Sequence, residues 1–286
     1  METTSCADAT SFLRRSEDYR GRHPLLTNVI GSIATSTAAG FQVYDGYWWW
    51  LVLDRGDVVG AACRTEPYCL QLGPMDSDAA ASLAHSVAAH DDAFPCVNGD
   101  EQTVRRFLDG YAATGSPGSR RQSTADFENI IYEAGAINVP DVPGEVRPAT
   151  MPQFELASTW MTDFTTFING KPYQPSHHDS EALRARISAS MLYLWWVDSE
   201  PVSMVGHASP VTIGTETVTR IAPVFTPRER RRRGFAAAAT AAVTNLLSES
   251  ATRVVLLADA NYPTSNHVYQ SIGYFEVDRL VRFQLT

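Results

Sequence analysis

No window of this sequence approaches the ~18 consecutive apolar residues that a membrane-spanning helix needs. The opening METTSCADATSFLRRSEDYRGRHP is charged early and holds no apolar run of signal-peptide length. A soluble, cytoplasmic protein without membrane partners is expected. Cysteine is scarce: Cys6, Cys63, Cys69 and Cys96 all precede residue 100, with no C-x-x-C spacing. That argues against zinc or a dithiol redox motif and for reduced, structural thiols. Net positive charge is missing too. Lys and Arg number 23 against 32 Asp and Glu, giving a formal charge of -9 and a pI near 5.2. Attraction of the whole surface to nucleic acid or anionic lipid is therefore excluded as a driving force. Any anion site has to be local.

What is present has globular composition. The 286 residues, 44% hydrophobic and 19% charged, suit one large domain or two of ordinary size and disfavour disorder. A repeat suggests two. YWWWLVLDRGDVVGAACRT near residue 50 and LYLWWVDSEPVSMVGHASP near residue 195 both read as an aromatic strand, a turn and an apolar strand, and Trp50 to Gly60 spans the same interval as Trp196 to Gly206. Between them EAGAINVPDVPGEVRPAT breaks periodicity with prolines and glycines, as a connection does. We place the boundary there, with domains at 1–142 and 143–286. Apolar spacing predicts helices over 79–89 and 101–112 and a strand over 127–132 in the first half. The second half reads as helices over 151–167 and 180–190, the second hairpin, a strand over 216–225, a helix over 234–247, a strand over 253–258, a helix over 265–272 and a final strand over 279–285. This order is α+β or mixed α/β, with helices covering a largely β core.

The stretch TPRERRRRGFAAAAT sets five arginines between Arg228 and Arg233 immediately before an alanine-rich helix. Upstream, Pro223 and Pro227 interrupt ETVTRIAPVFTP, and proline inside a strand removes a ladder hydrogen bond, so the strand should bulge and leave its neighbour. A strand, a short Arg/Gly loop and a helix N-terminus together favour phosphate, because the first N–H groups of a helix lack internal partners and lie at the positive end of its dipole. Gly234 permits close approach and Ala236 avoids a side-chain clash, while loop arginines add charge-assisted contacts.

Arg231-Arg232-Arg233-Gly234-Phe235-Ala236 resembles the Arg/Gln-x-x-Gly-x-Gly/Ala signature of the GNAT N-acetyltransferase superfamily, and VFTP resembles the end of its split central strand. NYPTSNHVYQSIGY, at 261–274, is similar to the superfamily's Asn-x-x-Ser-x-x-x-Tyr block. The resemblance covers about residues 143–286; the first half shares only the hairpin and looks like a degenerate copy. It implies two tandem GNAT-like domains, each a mixed, mostly antiparallel sheet flanked by helices. It implies acetyl-CoA as cosubstrate and no metal. Backbone groups of Val224, Phe225 and Thr226 would bind the pantetheine arm, Arg231, Arg232, Arg233, Gly234, Phe235 and Ala236 the pyrophosphate, and Asn261 and Ser265 the cofactor or its loop. Tyr269 would donate a proton to the departing thiolate.

Two departures from the pattern stand out. The Asn261 to Tyr269 interval is one residue long, with Tyr262 as the extra, and Arg220 occupies the strand position where several members carry a glutamate base. Arginine cannot accept a proton near neutral pH. His207 and Glu216 are the substitute candidates, imidazole because it titrates near working pH. The HHD run at 177–179 is read as a helix start capped by Asp179 or Ser180, beside a variable acceptor loop. The paired tryptophans are read as packing, since consecutive strand residues face opposite ways. The expected activity is acetyl transfer to a primary amine of a small molecule by a monomer or homodimer, with the acceptor between the domains or under the loop at 169–178. A cofactor-sensing pseudoenzyme, a protein-lysine acetyltransferase and a nucleic-acid binder are the alternatives.

Overall fold

The computed structural model of the protein describes residues 1–90 and 93–286. Its elements in the first half are β1 (Glu2–Ser5), α1 (Ala9–Arg15), α2 (Glu17–Arg22), α3 (Asn28–Ala38), β2 (Tyr47–Asp54), β3 (Asp57–Thr65), β4 (Leu70–Leu72), α4 (Ser77–His90), β5 (Cys96–Gly99), α5 (Glu101–Ala113) and β6 (Ser123–Ala134). The second half continues with β7 (Glu145–Pro148), α6 (Phe154–Asn169), α7 (His177–Ser188), β8 (Leu192–Val197), β9 (Glu200–His207), β10 (Val211–Ile213), β11 (Glu216–Phe225), α8 (Phe235–Leu247), β12 (Arg253–Asp259), α9 (Pro263–Ser271) and β13 (Tyr274–Leu285). Among the described residues no helix is long and apolar enough to cross a membrane.

All strands join one mixed, mostly antiparallel sheet in the order β1-β2-β3-β4-β5-β13-β6-β12-β11-β9-β8-β7, with β10 paired to β11. The centre of that order is an exchange. The last strand of each half lies beside the last-but-one strand of the other: β13 on β5, and β6 on β12. β6 and β13 also pair with each other along their length, from Tyr274↔Ala134 to Leu285↔Ser123. Apolar side chains follow the exchange. Phe283 and Leu285 of β13 pack with Phe94, Phe107 and Tyr111 of the first half, while Ile130 and Tyr132 of β6 pack under α8 of the second. Arg253 of β12 clamps Glu133 of β6 through two 2.6 Å hydrogen bonds. The opposite sheet faces are covered by α1 and α3 in one half and by α6 and α7 in the other.

The duplication extends to β1 and β7, but its register differs from the tryptophan match. Turn-closing pair Asp54↔Asp57 corresponds to Val197↔Glu200, and Glu2↔Leu53 corresponds to Glu145↔Trp196. Leu53, not Trp50, is therefore the counterpart of Trp196. Both hairpins carry their bulge at the same place, between Val52 and Leu53 and between Trp195 and Trp196. Matching by residue type slid the copies by three positions, whereas turns and bulges hold the true alignment. Trp49 and Trp50 face different cores, as do Trp195 and Trp196.

The thiol reading needs correction: Cys69 and Cys96 form a disulfide, and only Cys6 and Cys63 are free and buried. Parallel pairing of β4 with β5 (Leu70↔Val97) brings the two together across the chain. The cap of α7 also differs from expectation. Ser176 accepts from the Asp179 N–H at 3.3 Å and Asp179 accepts from the Ser176 N–H at 2.7 Å, a reciprocal box that makes Ser176 the cap, three positions before Asp179.

Candidate active site

β11 pairs in parallel with β12 only from Val218 to Ile221. Beyond that point it follows β9 alone (Val224↔Val205, Phe225↔Met204), after a register shift between Ile221 and Val224 that contains Pro223. A wedge thus opens between Ala222–Phe225 on one side and Leu257–Asp259 on the other, as the prolines led us to expect. Val224 and Phe225 present one backbone edge to it. Ser203 fixes the closed edge by donating to the Phe225 carbonyl at 3.0 Å, and the buried Thr226 hydroxyl lies 2.8 Å from the Ser203 hydroxyl.

The chain then turns toward α8. Arg231 Nε donates to the Thr226 carbonyl at 2.9 Å, and its guanidinium lies 5.8 Å from the centroid of Phe167. Arg231 therefore shapes the loop. Arg230 pairs with Glu200 at 2.7 Å, Arg233 stacks on Phe235, and Arg228 is exposed. Arg232 and Gly234 take left-handed conformations (φ 60 and 80), the latter as N-cap of α8. A Cβ at Gly234 would also come within 2.9 Å of Val142 Cγ1, so glycine is required twice over. The first helical bond is that from the Ala238 N–H to the Gly234 carbonyl. Among the described residues nothing accepts from the N–H groups of Arg232 through Ala237. Six donors at the positive end of a 13-residue helix make a cradle for an anion.

On the other side of the wedge, Tyr269 projects from α9 against Tyr132 and Tyr274, with centroids 6.3 and 6.2 Å away. Burial pushes its hydroxyl up to about 12, so it is a proton donor throughout the physiological range. Tyr132 comes from the exchanged strand β6, which sequence reasoning did not connect with this site. Asn261 lies in the β12 to α9 turn and Ser265 in the first turn of α9: Asn261 N–H donates to Asp259 at 2.8 Å, and Ser265 Oγ donates to the Tyr262 carbonyl at 3.0 Å. Ser265 thus acts within its own turn, and Tyr262 stacks edge-on against Phe167 at 5.6 Å across the wedge mouth.

His207 ends β9 opposite Ile221, where the strands part. Its Nδ1 lies 2.9 Å from the Ala208 carbonyl, an acceptor, and the Ser190 backbone also favours the protonated ring. Burial, reinforced by Arg186, moves the imidazole below its ordinary value. Glu216 sits elsewhere. It begins β11, six residues before Ala222 and so about 20 Å away along the strand, and pairs with Arg253 at 3.4 Å. The structure does not bring it to the wedge. Arg220 is held by the first half: Nε donates to Asn28 Oδ1 at 3.2 Å and Nη2 to Ser32 Oγ at 3.1 Å, both on α3. Arg186 borders a cleft of about 270 Å³ lined by Ser36 and Tyr68 from the first half and by Asp179, Arg186, Met191 and Ser209 from the second. Among the described residues no cluster of His, Cys, Asp or Glu has a metal-holding arrangement.

Residues 211–283, which run from β10 through the wedge and loop to β13, match the family described as FR47-like protein. No protein of curated function matches the chain in sequence. Solved structures are similar over nearly the whole chain. An acetyltransferase of the GNAT family from Colwellia psychrerythraea is 11% identical with a TM-score of 0.61, covering 100% of each chain. A tandem GNAT protein from the clavulanic acid biosynthesis pathway is 12% identical with a TM-score of 0.60, covering 99% of this chain and 97% of that one. A GCN5-related N-acetyltransferase from Sphaerobacter thermophilus is 12% identical with a TM-score of 0.58, over 99% and 95%. The chain has the fold of the GNAT acetyltransferases, with the FR47-like segment forming the wedge, the loop and the tyrosine helix.

Proposed function

We propose that the protein transfers an acetyl group from acetyl-CoA to a primary amine of a small molecule, by direct attack of the amine on the thioester. The observation that carries this reading is the wedge beside a helix start whose N–H groups from Arg232 to Ala237 lack protein acceptors. An edge of extended backbone suits the amide-bearing pantetheine arm as an added strand, and the helix start suits its pyrophosphate. Acetyl-CoA supplies the activated acyl group. The chain's own part is to hold that group in the wedge and align it with the amine, to polarise the carbonyl through a backbone N–H of β11, and to protonate the thiolate from Tyr269. His207, whose burial favours the neutral imidazole, is the candidate to take the amine proton, through water. In this reading residues 143–286 carry the chemistry and 1–142 supply one wall of the acceptor cleft. The enclosed volume of about 270 Å³ suits a metabolite better than a lysine on a folded protein.

Arg220, standing where a base is found in related enzymes, favours a second reading in which the protein senses acyl-CoA without turnover. Thiol release measured with acetyl-CoA and a panel of amines separates the two. Acetyl transfer predicts release that depends on the acceptor, while tight CoA binding with no release on any amine supports the sensor.

A further inference from the structure

The acceptor cleft is lined by the guanidinium of Arg186, and that of Arg220 lies close enough to Arg186 to feel its charge; among the described residues neither has a carboxylate partner. Arg186, on α7, donates from Nη1 to the Ala222 carbonyl at 3.2 Å, at the first residue past the point where β11 leaves β12. Arg220, two residues before Ala222, is held only by the neutral Asn28 and Ser32. Among the described residues neither arginine forms an ion pair with a carboxylate. A guanidinium has five N–H donors in a planar fork, so most donors on each are unclaimed, and none of the nitrogens without a protein partner is sealed from solvent. Both residues are half-buried.

We propose that Arg186 and Arg220 form a carboxylate-recognition site, and that the acceptor is an amine with a carboxylate beside its amino group, as in an α-amino acid. The assignment of the amine as nucleophile rests on the acetyl-transfer reading; the carboxylate site rests on the cleft alone. Two like charges drawn out of water with neutral partners only are unfavourable unless an anion completes them. Each guanidinium feels the cost: burial lowers Arg186, and burial together with Arg186 brings Arg220 down to about 10. The nearby Tyr44 phenol, pushed upward by burial, stays neutral and offers no charge. Asp179 on the other flank already accepts from Tyr173 at 2.8 Å and from Ser176 at 2.7 Å. A bidentate carboxylate is the ligand that the fork geometry fits. In an α-amino acid the nitrogen lies two bonds from the carboxylate carbon, so anchoring the acid at Arg186 puts the amine beside Ala222, at the mouth of the wedge. The bound acid cancels one positive charge and the second still disfavours a protonated amine, which lessens the demand on a base.

The test pairs each α-amino acid with the amine left on removing its carboxylate, phenylalanine with phenethylamine and leucine with isoamylamine. Each is measured by calorimetry on the full chain and by thiol release. A charge-assisted pair predicts at least about tenfold preference for the acid in binding and in kcat/KM, shrinking toward unity in Arg186→Gln and only partly restored in Arg186→Lys. Equal or better binding of the neutral amines overturns the proposal, as does a preference that survives Arg186→Gln in protein with an unchanged melting temperature. The wild-type comparison needs no variant, so misfolding of a variant leaves it intact. Acetyl-CoA binding in the same samples keeps the two claims apart: acid preference without acetyl-CoA binding overturns only the acetyl-transfer reading, and acetyl-CoA binding without acid preference overturns only the carboxylate site.

Discussion

In the proposed reaction Tyr269 is the acid, and its surroundings raise the hydroxyl to about 12, leaving it protonated when a thiolate needs a proton. Tyr269→Phe keeps the ring packing against Tyr132 and Tyr274, so we expect kcat to fall by on the order of 10²-fold with little change in acetyl-CoA affinity. A steady-state comparison with separate binding measurements checks this. His207 gives a prediction with a definite sign. Its folded value lies below 6.5, so the unfolded chain binds more protons just below that pH, and stability falls as pH drops through the window. In His207→Gln that part of the slope should vanish, as read from denaturant midpoints between pH 5 and 7. Of the residues at the site, the sequence shows Tyr269, Gly234 and Ala236 plainly because each sits in a short local pattern. Arg186 and Tyr132 carry no such mark: the first matters because α7 crosses the wedge, and the second because a strand from the other half is inserted.

At the level of elements, β11 and α8 are legible to within a residue, since prolines, β-branched alternation and the alanine run act locally. β7 is not, being four residues with a proline inside a Pro/Gly-rich connection, and its strand state depends on pairing with β8. Nor did apolar spacing mark α1 to α3. The loop and helix start allow a substitution that separates cofactor binding from folding. Ala236→Asp puts a carboxylate in the first turn of α8, where the dipole welcomes it by about 0.3–1 kcal/mol, yet it fills the anion cradle with negative charge. We expect acetyl-CoA affinity to fall at least about tenfold while the melting temperature holds or rises. Gly234→Val is a blunter probe, because left-handed backbone costs a β-branched residue about 1–3 kcal/mol and its side chain meets Val142. It should lose both stability and cofactor binding.

On the scale of the whole molecule, the repeat was visible in the sequence but the exchange of β6 and β13 was not. Long-range pairing leaves no local signal, and either strand reads equally well as the end of its own half. The exchange has a consequence for dissection. Residues 143–286 expressed alone would leave β12 without β6 along Val255–Asp259 and β13 without both β5 and β6, exposing three strand edges and part of the apolar core under α8. That fragment should be insoluble or lack a cooperative unfolding transition, and a soluble, cooperative fragment would show that the exchange is dispensable. In the proposed function the first half contributes to the acceptor cleft and the second binds the donor. Amide hydrogen exchange on the full chain, with and without acetyl-CoA, tests that division most directly. The account predicts that the cofactor slows exchange at the backbone of Val224–Thr226 and Arg232–Ala237. Unchanged exchange at both segments under saturating acetyl-CoA, or protection confined to other parts of the sheet, would contradict it.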